Sequence, residues 1–262
     1  MINFNLNNKV VVVTGAARGV GLAVATKFLE SGASVIFVDV SNTLEDEFKK
    51  IINKNSIYSG LALKADISIS KEVQYVVNTT MAKFNRIDIL VNAAGILYEE
   101  YVINFDECNW DKIMNVNAKG VFLCCKYVGK IMVNQRSGKI INISSQQAIK
   151  GDIENSVYAA SKAAVLRFTQ VLAIELADKG IQVNSVCPGI INTDMIKQSC
   201  LKSARTKNLN LEKCMETLRN KIPLGRMAEP KDIANLVNFL ASDYSDYITG
   251  AAILITGGLT CN

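Results

Sequence analysis

Short β-branched and apolar runs alternate with longer segments of helical periodicity along nearly the whole chain. The first run, Lys9-Val-Val-Val-Val-Thr14, has no polar face, as a strand buried on both sides requires. Behind it, Leu22, Ala25, Phe28 and Leu29 recur at helical spacing. Similar runs near 34–39, 60–65, 87–91, 138–144, 180–186 and 251–255 predict further strands. Helical patterns fall between them, notably over 107–136, 155–179 and 230–241. Strict alternation of this kind predicts an α/β fold, a doubly wound parallel sheet with helices on both faces. Right-handed crossovers then bring the loops at Gly15, Asn92, Ser145 and Pro188 to the carboxyl edge of that sheet, where such sheets bind ligands. The length of 262 residues suits one domain, 1–262, and no linker or repeat divides it.

The loop after the first run reads Gly15-Ala-Ala-Arg18-Gly19-Val20-Gly21. Glycines at a strand-to-helix junction permit positive φ and a close approach of backbone to a pyrophosphate. The helix behind them offers unpaired N–H groups and the positive end of its dipole to an anion. The spacing is GxxxGxG rather than GxGxxG, so the loop alone leaves an unliganded turn open as a reading. Asp39 changes that balance. It ends the second strand, 18 residues past Gly21, where a carboxylate can accept hydrogen bonds from the adenosine ribose. The same charge repels a 2′-phosphate, so NAD is expected in preference to NADP, although the Arg18 guanidinium argues the other way.

The chain has no histidine, so proton transfer near neutral pH needs a group whose pKa has been moved. Tyr158 and Lys162 stand four residues apart in a helical pattern and so share a face. A neighbouring ammonium favours the phenolate. Bringing a phenol from ~10 to about 7 takes roughly 4 kcal/mol, more than one cation supplies. A positively charged cofactor ring is expected to contribute the rest.

In these residues the chain resembles the short-chain dehydrogenase/reductase family over nearly its whole length. Thr14-Gly15-x-x-x-Gly19-x-Gly21 is similar to its cofactor signature, and Asn92-Ala-Ala-Gly95 to its NAAG motif. Asn117 matches its structural and catalytic asparagine, with Asn115 a nearby competitor. Ser145 lies 13 residues before Tyr158, as the family's serine does, beside an equally placed Ser144. Asp66 matches an acid that binds adenine, and Pro188-Gly189 with Thr193 a loop that holds nicotinamide. The resemblance implies a Rossmann-like domain and a catalytic set of Asn117, Ser145, Tyr158 and Lys162. It implies cofactor contacts from Gly15, Arg18, Gly19, Val20, Gly21, Asp39, Asp66, Ile67, Asn92, Ala93, Gly95, Tyr158, Lys162, Pro188, Gly189, Ile191 and Thr193. Substrate contacts are expected from Ser145, Gln147 and Tyr158, beneath a lid over about 193–222. Asn117 would anchor, through its carbonyl, a water that links Lys162 to solvent. A homotetramer formed through the two long helices and the C-terminal segment also follows from the likeness.

Within the family, Cys187-Pro-Gly-Ile-Ile-Asn-Thr193-Asp-Met195 resembles the acetoin, butanediol and sorbitol dehydrogenase branch. The expected reaction is hydride transfer between a nicotinamide cofactor and a secondary alcohol or ketone, with a small polyol or diol/ketol as substrate. A 3-oxoacyl or biosynthetic ketoreductase using NADPH is the enzymatic alternative. A non-catalytic NAD(H)-binding regulator is the alternative of another kind, disfavoured by an intact Ser145, Tyr158 and Lys162.

Composition narrows the setting. Seven cysteines without C-x-x-C spacing read as neither a disulfide framework nor a zinc site, and with no histidine a catalytic metal is not expected. Cys124 and Cys125, in a helical pattern, read as small core hydrophobes. The N-terminal residues are too polar for a signal segment and no apolar run approaches a membrane span, so a cytoplasmic protein without a membrane partner is expected. The net charge of +5 and the Lys202, Arg205, Lys207 run lack interleaved aromatics and read as a solvated face, not a nucleic-acid site.

Overall fold

The side chains of Val10 to Val13 are buried and divide by alternation between two apolar layers. Val11 and Val13 join Phe28, Val35 and Phe37 on one side, while Val10 and Val12 join Ile36, Val38 and Leu90 on the other. In the computed structural model, which describes residues 4–206 and 210–261, this run is β1 (Val10–Thr14). With β2 (Ser34–Asp39), β3 (Ser59–Lys64), β4 (Ile89–Asn92), β5 (Gly138–Ile143), β6 (Ile181–Pro188) and β7 (Ala252–Ile255) it forms one sheet in the order β3-β2-β1-β4-β5-β6-β7. Every pairing is parallel. The expected doubly wound, Rossmann-like domain is therefore what the chain forms, and the order reverses between β1 and β4. That switch point opens a crevice above the strand ends.

Helices cover both faces. On one, α1 (Gly19–Glu30) buries Gly21, Val24, Ala25, Phe28 and Leu29 at helical spacing and packs on α9 (Pro230–Leu240). Flanking β2 and β3 are α2 (Leu44–Ile52) and α3 (Ser70–Phe84). On the opposite face, α3 packs against α5 (Gly120–Gln135), itself preceded by α4 (Glu107–Ile113). The sequence pattern over 107–136 predicts one unbroken helix. The structure instead inserts a π-helical segment, Met114–Lys119, between α4 and α5. One wider turn changes which side chains face inward, and it carries Asn117 to complete burial while Asn115 stays exposed.

One strand starts later than expected, and the segment expected as a lid has structure of its own. β4 begins at Ile89; the Asp88 backbone before it still donates to Val10 O and accepts from Lys139 N, while its carboxylate accepts from Val10 N at 2.8 Å and from Arg86. The segment after Thr193 is helical, as α7 (Asp194–Thr206) and α8 (Leu211–Asn220) packed together. Of the basic run noted in the sequence, Lys207 and the Arg205 side chain lie outside the described residues. The long helix α6 (Ser156–Leu176), extended to Lys179, is long and apolar enough by length and composition to cross a membrane, which the sequence reading did not anticipate. It packs on β6 and β5 and buries Val165, Thr169 and Ala173 there.

Candidate active site

The glycine loop is bolted to its neighbours on both sides. Thr14 Oγ1 accepts from Ala93 N and Ala94 N at 3.1 and 3.3 Å, which ties the end of β1 to the loop after β4. On the other flank Ala16 N donates to Val38 O, and Ala17 N donates to the Asp39 carboxylate at 3.0 Å. Gly15 adopts φ +69°, and a Cβ there would lie 2.7 Å from the Ala94 backbone. A Cβ on Gly21 would lie 2.0 Å from Gly15 O. Backbone cannot move aside as a side chain can, so only glycine permits this turn. The turn aims the first N–H groups of α1 into the crevice, and no side chain caps them.

That crevice is a cavity of about 350 Å³ running across the strand ends. At one end stand Arg18, Asp39, Asp66 and Ile67, with Val38 and Val40 flanking the carboxylate. Gly15, Gly19, Val20, Gly21, Ala93 and Gly95 line its middle. At the other end are Ser145, Tyr158, Lys162, Pro188, Gly189, Ile191 and Thr193. Most of the residues expected to hold a dinucleotide thus share one cavity. Asp39 already accepts from Ala17 N and, at 2.9 Å, from Ser41 N, which fixes the carboxylate at the end of β2. Asp66 accepts from Ser68 N at 2.8 Å.

Three expected residues lie outside the lining. Asn92 is buried in β4, and its amide donates to Asn142 Oδ1 at 2.8 Å, so the side chain braces β4 against β5. Asn117 likewise spends its side chain on structure. It accepts from Ile96 N at 2.9 Å and donates to Ile96 O and Ser161 Oγ at 3.0 and 3.1 Å, fixing the loop after β4 to α6. Gln147 sits half-buried in the 3-10 turn after Ser145, its Oε1 buried without a partner. Sequence reasoning missed the apolar wall of Ala94, Ile96 and Val116, while Met195 and Ile196 fall in the segment expected as a lid. Most are immediate neighbours of motif residues, a signal that was available.

The two serines after β5 separate by what they bond. Ser144 Oγ donates to Lys162 O at 2.8 Å, a strut between β5 and α6. Ser145 accepts from Gln147 N at 3.1 Å and shares the cavity lining with Tyr158. The Lys162 ammonium is buried, donates to Ile143 O at 2.9 Å, and lies 5.7 Å from the Tyr158 ring centroid. Its effect differs from expectation. Burial pushes the Tyr158 phenol up to about 12, with Ser145 pulling the other way, and burial draws Lys162 down to about 8. The pair alone therefore holds a protonated phenol at neutral pH. Lowering it falls to charge brought in with the cofactor.

The residues present fit a nicotinamide dinucleotide: a glycine cradle that a Cβ would fill, a helix N-terminus behind it, and a carboxylate where the adenosine ribose would lie. Comparison with known proteins agrees. A family model described as enoyl-(acyl carrier protein) reductase matches residues 15–260. The chain is 40% identical over 259 residues to the 3-oxoacyl-(acyl-carrier-protein) reductase of Thermotoga maritima, covering 97% of this chain and 98% of that one. It is 36% identical over 258 residues to the NAD-dependent glycerol dehydrogenase of Listeria innocua, covering 98% and 96%. The crystal structure of levodione reductase superposes with a TM-score of 0.92 at 33% identity, over 97% of this chain and 98% of that one. Fold, site and relatives together place this chain among the oxidoreductases of the short-chain dehydrogenase/reductase family, enzymes that work with nicotinamide cofactors.

Proposed function

We propose that the chain is an NAD-dependent dehydrogenase acting between a small polyol or diol and the corresponding ketone or ketol. The observation that carries this reading is the joining of Ser145, Tyr158 and Lys162 at one end of a cavity whose other end is closed by Asp39. The bound nicotinamide would supply the hydride acceptor or donor. Ser145 would hold the substrate oxygen beside the Tyr158 hydroxyl, which takes the alcohol proton in oxidation and returns one in reduction. Lys162, reached from Gly95 and Ile143, would bind the nicotinamide ribose and place its charge near the phenol. Asn117 would act by fixing the Ile96 segment and α6, its backbone carbonyl serving a water.

Asp39 supports NAD, and so does the likeness to an NAD-dependent glycerol dehydrogenase, which favours a polyol as well. Gln147, whose amide oxygen is buried without a partner beside Ser145, suits a substrate with more than one hydroxyl. Replacing Asp39 by alanine should narrow the preference for NAD over NADP by at least about tenfold, read as the ratio of kcat/KM values. An unchanged ratio would reduce Asp39 to a strand-end brace for Ala17 and Ser41.

A second reading, an NADPH-dependent 3-oxoacyl reductase, is favoured by the Thermotoga relative and by Arg18 at the ribose end of the cavity. Absorbance of NADH and NADPH over a panel of sorbitol, glycerol, 2,3-butanediol, acetoin and an acetoacetyl thioester decides between them. NAD-linked turnover of a polyol, diol or ketol is the expected result. NADPH-linked reduction of the thioester alone would transfer the assignment to the second reading.

We assign α7 and α8 the role of a lid, since Asp194, Met195 and Ile196 in the first turn of α7 wall the cavity. A homotetramer accords with the exposed apolar Phe122, Val171 and Ile174 on the long helices and Leu254 on the edge strand. The seven unpaired cysteines accord with a reducing, cytoplasmic location.

A further inference from the structure

Two of the seven cysteines meet each other in the lid. Cys200 lies on α7, only 1% exposed, and Cys214 lies half-buried on α8. The two helices pack together, and the two thiols lie close enough across the seam for Cys214 to bear on the ionisation of Cys200. Neither thiol belongs to the proposed chemistry. Their position gives them leverage over it, because α7 begins at the residues that wall the cavity. The same helix is held at its outer side by Lys202, which bonds Glu99 O and faces Glu100 at 3.9 Å. A tether between α7 and α8 would therefore act on an element already anchored at the cavity and at the neighbouring loop.

We propose that Cys200 and Cys214 form a reversible thiol–disulfide pair which, on oxidation by a hydroperoxide, staples α7 to α8 beside the cavity. Oxidation enters at Cys214, the more exposed thiol. Its sulfur attacks the peroxide O–O bond of hydrogen peroxide, becomes a sulfenic acid and releases one water. Cys200 Sγ then attacks the sulfenic sulfur; the S–S bond forms, the S–O bond breaks, and the Cys200 proton leaves with that oxygen as a second water. Two thiols lose two electrons and one peroxide gains two. Burial, reinforced by Cys214, pushes the Cys200 thiol up to about 12, so its thiolate is scarce and the second step quickens with pH. A dithiol reverses the bond by exchange. The bond itself does not depend on the dehydrogenase reading; only its bearing on turnover does.

The test uses the whole protein treated with hydrogen peroxide and digested without reductant. The expected product is one peptide pair linked through Cys200 and Cys214, with titratable thiols falling from seven to five. Exchange of amide hydrogens in α7 and α8 should slow by at least about fivefold on oxidation and recover with dithiothreitol. Cys214→Ser and, independently, Cys200→Ser should each abolish both the linkage and the slowing. Oxidation confined to the exposed Cys108 and Cys261 would overturn the proposal, and so would a linked pair that leaves exchange in the two helices unchanged.

Discussion

Replacing Tyr158 by phenylalanine should lower kcat by about a thousandfold while leaving NAD(H) affinity within about twofold. The phenyl ring keeps its place in the first turns of α6, and the Ser144 strut to Lys162 O still fixes that helix on β5. Only the hydroxyl that exchanges a proton with the substrate is lost. Wild-type pH dependence should carry the same signature, and its sign follows from the phenol held near 12. Carbonyl reduction uses the protonated phenol, which is already populated at neutral pH, so its rate should be nearly flat there. Alcohol oxidation needs the deprotonated form, and its kcat/KM should climb with pH by up to about tenfold per unit until it levels at the lower pKa that the bound cofactor gives the phenol. The phenylalanine variant should lose that slope. Steady-state rates in both directions and a fluorescence titration with NADH measure these quantities. A variant retaining more than about a tenth of wild-type kcat would remove Tyr158 from the role of acid and base.

The second large effect is expected at Gly21. Its α-hydrogen faces Gly15 O so closely that an alanine Cβ would stand 2.0 Å from that oxygen and 2.6 Å from the carbonyl carbon. Both atoms are backbone, held by the hydrogen bonds of Ala16 and Ala17 to Val38 and Asp39. The strain is relieved only by drawing the start of α1 away from β1, which removes the N–H groups from the place where a pyrophosphate would lie. Gly21→Ala should therefore weaken NADH binding by at least about a hundredfold and lower Tm by several degrees. Gly129→Ala is the matched control. A Cβ at Gly129, inside α5, meets nothing within 4 Å. That change should leave binding untouched and add up to about 1 kcal/mol through helix propensity. Equal behaviour of the two variants would separate the glycine cradle from dinucleotide binding.

The strands and the cavity's main residues were legible because their signals are local. A short β-branched run without a polar face, closed by a turn, reads as a strand between two layers, and Gly15, Asp39 and Ser145 each end such a run. Side-chain direction at those ends was not legible. Asn92 and Ala93 are adjacent in a motif, yet one turns to Asn142 in the sheet and the other lines the cavity. Pairing to Asn142 across β5 decides this, and no local pattern encodes it. Ser144 and Ser145 pose the same problem, and the bond from Ser144 to Lys162 O resolves it. The electrostatics of Tyr158 failed for a related reason. Spacing places Lys162 on the right face, but burial dominates the ionisation of each group. The helices α7 and α8 are polar on average, but their apolar positions fall on one face, so a helical pattern was present in the lid segment.

The π-helical segment at Met114–Lys119 sets how this region can change length over evolution. A π turn takes about one residue more than an α turn to complete the same circle, so the extra residue is absorbed inside this segment and the faces of α4 and α5 keep their mutual register. One residue removed there would leave an α turn with Val121, Cys124, Cys125, Val128 and Met132 still on the sheet, and the loss would fall on the turn itself, where Asn117 holds Ile96. One residue removed from inside α5 has no such outlet and would rotate everything after it by about 100°. Alignments of related chains should therefore carry a single-residue gap in this segment more readily than within α5.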